Sequence, residues 1–392
     1  MPVAFLAFVS LGLPDGVLGV AWPSLRRSFD RPLDHLGAIL LAMMAGYLFS
    51  SFCTGLLVAR LGVGRLLLAS GLLVAASAAA WAATPVWPPV VLGAVASGLG
   101  AGAIDAGINA FAAARFTPRL ITWLHACWGL GAMLGPMGMT AALASGLGWR
   151  GGYAGLAACL LALALCFHLT RGLWNTPAPG GATSSLPVGS LRGALRLPRV
   201  RAGAAVFFLY TGIEASAGQW AYTLLTESRG MSPQAAGLAA SVYWGSIFAG
   251  RIGFGALAHH VPPALLLRLS IAAAPLLALA LWLTRGPAAA FAALSGLGLL
   301  LSPVFPLLIA ATPARVGEAH AAHAIGFQVA AATLGAGTLP AAAGVVMRRA
   351  GLEALGPFLL ASSVLLLLLH ERALRGVSAV TARLPLDRYP AS

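Results

Sequence analysis

Residues 12–22 read GLPDGVLGVAW and residues 212–220 read GIEASAGQW. Each stretch sets a carboxylate, Asp15 or Glu214, shortly after a glycine, then offers another glycine and ends on a tryptophan. Echoes of this kind, half a chain apart, are the sequence signature of a protein built from two similar halves. Both stretches lie inside runs that otherwise read as lipid-spanning helix, and so does a third carboxylate, Asp105. The chain has only ten acidic residues in all. A charged group at mid-bilayer costs about 2.5–3.5 kcal/mol on insertion scales, so it implies a partner, a cavity or a task.

Outward from these stretches, the composition fixes the class. Hydrophobic residues make up 59% of 392 and charged residues 9%, with mean hydropathy +0.88. That balance cannot cover a soluble globule with polar surface, and it implies a polytopic all-α membrane protein. The net charge of +14 does not point to nucleic acid, because the arginines lie mainly between apolar segments, where they meet lipid headgroups and set topology. Cys53, Cys127, Cys159 and Cys166 fall within apolar segments without CxxC spacing, so they read as small buried residues rather than a disulfide framework or a zinc site. The first apolar stretch carries Asp15 and lacks a basic leader, so it reads as a retained span.

Apolar runs long enough to cross a ~30 Å core fall near 3–25, 35–59, 65–84, 89–113, 120–146 and 151–172. A second six fall near 202–226, 233–258, 263–284, 287–312, 321–347 and 354–374. This gives twelve transmembrane helices in two pseudo-symmetric six-helix bundles, 1–172 and 200–376. A Pro- and Gly-marked linker at 173–199 joins them, and a tail covers 377–392. Placing both termini in the cytoplasm puts sixteen arginines inside against eight outside, so the positive-inside rule selects that orientation in a bacterial inner membrane. The outside cluster Arg26, Arg27 and Arg31 is the exception, offset locally by Asp30 and Asp34. Arg26 and Arg27 read as bystanders.

Four groups of residues carry the chemistry. In the fourth span, SGLGAGAIDAGINAF at 97–111, Asp105 and Asn109 share a helix face and offer carboxylate and amide at the spacing of neighbouring hydroxyls. The alternative is an Asp satisfied by a neighbouring helix. In the fifth span His125 lies one turn from Trp128. Histidine titrates near neutrality, and an indole face suits a sugar ring or a cation. The bland reading is a histidine donating to a backbone carbonyl. In the seventh span Glu214 precedes Gln219 and Trp220, and the eighth holds Tyr243, Trp244 and Arg251, so Glu214 and Arg251 are expected to pair. Arg251, nearer the cytoplasmic end, reads as a structural or gating residue. Asp15, between Pro14 and Gly16, is expected to sit where its helix kinks or partly unwinds, as a cavity residue or as a cap on the break.

The fifth and eleventh spans also correspond: His125, Trp128, Gly131, Gly135 and Pro136 against Gln328, Thr333, Gly335, Gly337 and Pro340. The glycine pairs read as small-residue helix contacts, not phosphate loops. His259 with His260, and His320 with His323 near Glu318, read as headgroup-level histidines rather than metal ligands. No nucleophile with a base, HExxH or GxSxG is present, so no enzyme activity is expected.

These residues resemble the major facilitator superfamily, and within it the fucose permease-like sugar transporters, over essentially the whole chain. GLLVARLGVGR at 55–65 is similar to the superfamily's Gly-x-x-x-Asp-Arg-x-Gly-Arg signature, with Ala59 in place of the acid, which removes the usual cytoplasmic charge relay but not the fold. IDAGINAF at 104–111 is similar to the fourth helix of fucose permeases, where an acid implicated in sugar binding and proton coupling precedes an Asn by four. The resemblance therefore implies those roles for Asp105 and Asn109. His125 and Trp128 fall where that family has polar sugar contacts, and the family's first-helix acid lies about one turn deeper than Asp15. YTGIEASAGQW at 210–220, SPVFPL at 302–307 and GFQVAAATLG at 326–335 look like bacterial members of the same branch.

The resulting expectation is a secondary active transporter that carries a monosaccharide or similar small polyol by proton symport and alternating access. Asp105, then Glu214 and Asp15, are the proton-coupling carboxylates. Asp105, Asn109, His125, Trp128, Gln219, Trp220, Tyr243, Trp244 and Gln328 are the expected solute contacts, since polyols need amide and carboxylate partners and an aromatic platform. The alternative on the same fold is a proton-coupled drug or metabolite exporter. The proton gradient is the energy source, with Na⁺ open as the coupling ion. No cofactor, metal or nucleic-acid partner is expected. The lipid bilayer is the surrounding partner, and the functional unit is expected to be the monomer.

Overall fold

The computed structural model describes residues 2–174, 190–257 and 260–381. The linker stretch 175–189, His259 and the tail from 382 onward lie outside the described residues, as do the parts of the expected linker and tail that fall there.

The first half is α1 (Pro2–Ser28), α2 (Leu36–Leu61), α3 (Val63–Ala83), α4 (Pro88–Arg115), α5 (Pro118–Ala144) and α6 (Gly148–Trp174). A short helix α7 (Leu191–Arg196), which the sequence reading did not include, leads into the second half. There follow α8 (Pro198–Thr223), α9 (Pro233–Leu257), α10 (Pro263–Leu283), α11 (Pro287–Leu301), α12 (Val304–Val316), α13 (Glu318–Ala350) and α14 (Leu355–Thr381). No strand occurs among the described residues. Ten helical stretches there are long and apolar enough to cross a membrane, with α11 and α12 counted as one. The helices α8 and α9, 26 and 25 residues long, have the length but carry more polar residues.

The tenth apolar run, read from sequence as continuous, breaks at Ser302 and Pro303, since proline has no N–H to carry the helix through. Conversely, α1 runs unbroken through Pro14 and Asp15, where the sequence suggested unwinding. One missing N–H costs that helix a single backbone bond, and the surrounding turns keep theirs.

Helix pairing repeats between the halves. In the first, α1 packs on α5, α2 on α4 and α3 on α6; in the second, α8 packs on α13, α9 on α11 and α10 on α14. Across the junction α5 meets α9 and α2 meets α13, a matched pair of contacts, with α1 against α8 between them. Because lipid tails are as apolar as leucine, such helices associate through close packing rather than hydrophobic burial, and small residues set the distance. Gly131 on α5 lies against the carbonyl of Val9 on α1, and Gly335 on α13 lies against the carbonyl of Phe208 on α8. Val9 and Phe208 stand equally far before Asp15 and Glu214, so the packing repeats the correspondence that the two quoted stretches suggested.

A side chain at Gly131 would overlap backbone on the neighbouring helix, which cannot rotate away. Gly131→Leu is therefore expected to cost about 1–3 kcal/mol. It should lower the melting temperature of the detergent-solubilised protein, while Gly138→Ala, with open space around it, should not. Equal melting of the two variants would refute the close approach of α1 and α5.

The halves are clasped at one end by two ion pairs. Arg26 Nη2 meets Glu227 Oε2 at 2.6 Å, and Arg348 Nη1 meets Asp34 Oδ2 at 3.1 Å. This corrects two expectations. Asp34 does not offset the Arg26 cluster locally but reaches α13, and Arg26 is not a bystander but a strap to the second half. The partners lie far apart in the chain, so only the folded arrangement joins them. Each pair is partly exposed and is worth about 0.5 kcal/mol. Removing both in Glu227→Gln with Asp34→Asn is expected to shift the balance about fivefold toward opening at this end. Spin-label distances between α1 and α8 would read the shift, and unchanged distances would show the clasp to be inert.

The cysteines are not buried as expected. Cys159 is exposed on the outer face and the other three are half-buried, all as free thiols.

Candidate functional site

Each of the three membrane carboxylates has neutral hydrogen-bond donors. On α4, Asp105 accepts from Tyr47 Oη of α2 at 2.5 Å and from Asn109 Nδ2 at 3.0 Å, so both of its oxygens are engaged. On α8, Glu214 accepts from Tyr210 Oη at 2.5 Å, one turn back on the same helix, and its backbone carbonyl accepts from Tyr243 Oη of α9 at 2.8 Å. On α1, Asp15 Oδ2 accepts from Trp128 Nε1 of α5 at 3.0 Å, and its backbone carbonyl accepts from Gln219 Nε2 of α8 at 2.7 Å. Phenol, amide and indole donors hold a carboxylate in place without fixing its charge, because none of them is itself ionised.

Trp128 is the hub. Its ring stacks edge-on with Trp244 of α9, centroids 5.6 Å apart at 88°, and the Arg251 guanidinium lies 5.1 Å from its centroid. Arg251 Nη1 donates to the carbonyl of His125 at 3.1 Å, tying α9 to α5. The expected Glu214–Arg251 ion pair does not form. The carboxylate turns to Tyr210, and the guanidinium, although within electrostatic reach of Glu214, turns to α5. Two polar atoms here are buried without partners among the described residues, Arg251 Nε and Gln219 Oε1. Buried polar atoms are ordinarily satisfied, so these two are unfilled hydrogen-bonding capacity at the junction.

Placement of the remaining candidates varies. His125 packs its ring edge-on against Phe8 at 5.0 Å and presents its backbone, not its imidazole, to Arg251. Trp220 is fully buried, donating through Nε1 to the carbonyl of Pro340 at 2.8 Å, and so braces α8 against α13. Tyr243 is fully buried on Glu214. Gln328 accepts from Thr312 Oγ1 at 3.0 Å and lies beside Gly203, away from Trp128. The structure thus gathers Asp15, Trp128, Gln219, Glu214, Tyr243, Trp244 and Arg251 at the junction, sets Asp105 with Asn109 against α2, and leaves Gln328 apart. Tyr47 and Tyr210 were not among the sequence candidates. Tyr210 could have been found from its one-turn spacing to Glu214, but Tyr47 has no such local signal. Among the described residues, no three His, Cys, Asp or Glu side chains converge as a metal site would need.

Two pseudo-symmetric helical halves with carboxylates at and beside their junction define a class, the polytopic membrane transporters. The chain belongs to the Major Facilitator Superfamily, whose family model matches residues 4–340. Solved structures agree on the fold. The Escherichia coli fucose:proton symporter FucP aligns at 17% identity over 95% of this chain and 98% of its own, with TM-score 0.64. A bacterial homologue of the human lysosomal transporter Spinster, inward-facing and occupied, aligns at 14% identity over 100% and 98%, with TM-score 0.73. The nucleoside transporter NupG, in a point-mutant form, aligns at 15% identity over 95% and 98%, with TM-score 0.74. No curated protein matches the chain by sequence.

Proposed function

We propose that the protein is a proton-coupled symporter of a monosaccharide or similar small polyol, with twelve membrane-crossing helices and both termini in the cytoplasm of a bacterial inner membrane. The observation that carries this reading is the set of uncharged hydrogen-bond donors on Asp15 and Asp105; Glu214 also accepts from a phenol, with the Arg251 guanidinium within electrostatic reach. A carboxylate locked to a cation in the membrane stays charged, whereas one held by phenol, amide or indole can take up and release a proton as its surroundings open to water. Asp105 is the first candidate for the coupling proton, with Glu214 and Asp15 behind it.

The solute lies against Trp128 and Trp244. Asn109, Gln219 and Arg251 supply donors, and Gln219 Oε1 and the carboxylates supply acceptors for hydroxyl groups. Trp220, Tyr243, His125 and Gln328 take part by moving with their helices as access alternates, since each is already engaged in this conformation. Opening at the clasped end and closing at the other exposes the site to each face in turn.

The test is uptake into proteoliposomes of a panel of hexoses, pentoses and nucleosides, with and without an inward proton gradient. Gradient-driven accumulation of one hexose or pentose supports the reading. Accumulation of a nucleoside alone replaces the solute class, dependence on Na⁺ replaces the proton, and export of lipophilic compounds in exchange for protons turns the assignment to the exporter.

A further inference from the structure

Inside the first half, two adjoining cavities form a line between α1, α2, α3, α4 and α6, ending at Asp15. They leave about 20 and 30 Å³ open to the centre of a water-sized sphere. A single water needs roughly 10–15 Å³ by this measure. The two share the walls Pro14, Met43, Val74, Ser97 and Leu160, so one continues into the other. Asp15 and Ser10 line the deeper cavity; Ser77, Trp81 and Tyr153 line the one toward the α3–α4 loop.

The lining is mainly apolar, with a few polar groups set into it. Tyr153 Oη is buried, the residue 3% exposed, and has no hydrogen-bond partner among the described residues; Trp81 Nε1, likewise buried and unpartnered, packs against Gly93 of α4. Ser10 and Ser77 donate their hydroxyl hydrogens to the helix carbonyls of Ala7 and Leu73, which turns their oxygens into acceptors. At the inner end Trp128 holds only Oδ2 of Asp15 and leaves Oδ1 without a donor among the described residues. A space large enough for water, with an unsatisfied phenol and free acceptors on its walls, is suited to hydration, whereas purely apolar cavities stay dry.

We propose that this line of cavities holds water and forms a proton route from the α3–α4 end of the first half to Asp15, separate from the path of the solute. It rests on the reading of Asp15 as a proton carrier. The titratable groups that face Asp15 are Glu214 of α8 and Tyr47 of α2, with Trp128 of α5 as its donor. The positive-inside orientation puts the α3–α4 loop on the external face. Asp15 could then exchange a proton with the outside while the clasp between the halves is shut. Hydronium at the outer mouth gives up one proton and remains as water, each water along the line accepts one proton and releases another, and the last forms an O–H bond on Asp15 Oδ1, so the net change is one proton moved from outside to the carboxylate.

Radiolytic hydroxyl labelling of the full-length protein in lipid, read by mass spectrometry, tests the water directly. Tyr153 is expected to be modified about fivefold faster than Tyr243, which is fully buried and satisfied by Glu214. Ser97→Leu, which fills the shared wall, should remove that excess. Leu160→Phe fills the line from α6 and is the second plug should the first fail to fold. Equal labelling of Tyr153 and Tyr243 in the native protein would overturn the hydration site. In proteoliposomes the plugged variants should lose about tenfold in proton-driven accumulation yet keep solute counterflow; unchanged accumulation would overturn the route. If the native protein shows no proton-driven uptake, the symport reading fails, while the labelling still decides whether water is present.

Discussion

Asp105→Asn protein is expected to lose accumulation of its solute while still exchanging labelled for unlabelled solute across the membrane. With a gradient of two pH units, one coupled proton supplies about 2.7 kcal/mol, enough for a ~100-fold accumulation. An amide cannot release a proton in this range, so accumulation should fall from about 100-fold to about one. The substitution is nearly isosteric, and Tyr47 Oη can donate to the amide oxygen as it does to the carboxylate, so the α2–α4 contact survives. Exchange needs only that the loaded carrier reorient, and a permanently neutral residue 105 mimics the protonated carboxyl. Tyr47→Phe should give the intermediate case. It removes one hydrogen bond to the carboxylate, worth about 1.5–3 kcal/mol to a charged acceptor, and keeps the acid. Uptake should drop by roughly tenfold but remain gradient-driven. Retention of full accumulation by Asp105→Asn would remove Asp105 from coupling and pass the role to Glu214 or Asp15, where Glu214→Gln and Asp15→Asn repeat the test.

Trp128→Ala is expected to reduce transport by at least about 100-fold, and Trp128→Phe by about tenfold. The indole does three things at once: it donates to Asp15, stacks on Trp244 and supports the Arg251 guanidinium. An edge-to-face aromatic pair is worth about 0.5–1.5 kcal/mol, a partly desolvated cation–π contact about 0.5–2, and a hydrogen bond to a charged acceptor about 1.5–3. These terms are coupled and do not sum, but losing all three exceeds the ~2.7 kcal/mol that 100-fold requires. Phenylalanine keeps a face for Arg251 and an edge for Trp244 and loses only the N–H. The comparison therefore separates the platform from the donor. Equal loss in both variants would locate the whole effect in the Asp15 hydrogen bond; little loss in either would place the solute elsewhere.

Much of this fold was legible in the sequence because a bilayer imposes a simple rule: a spanning segment must satisfy its own backbone and present apolar side chains along its length. The number and order of the apolar runs, the halving of the chain and the equivalence of Asp15 with Glu214 all follow from that rule together with the repeated GLPDGVLGVAW and GIEASAGQW pattern. Glycines 131 and 335 were legible as contact residues because close helix packing without a hydrophobic driving force requires small side chains. Carboxylates in such runs announce themselves by cost alone.

What the sequence could not give is the rotation of each helix about its axis and the partner each polar group finds on another helix. A turn of 100° per residue places any side chain toward lipid, neighbour or junction with little change in local pattern, since lipid and protein interior are equally apolar. Tyr47 finds Asp105, Arg26 finds Glu227 and Arg251 prefers α5 to Glu214 only once the helices are packed. The sequence by itself thus determined the membrane class, the two-half plan and the identity of the costly carboxylates, because these depend on composition and spacing along one chain. The tertiary structure alone decided which neutral donors hold those carboxylates, which ion pairs strap the halves together and where water-sized space remains, because these depend on distances between helices that no local pattern encodes.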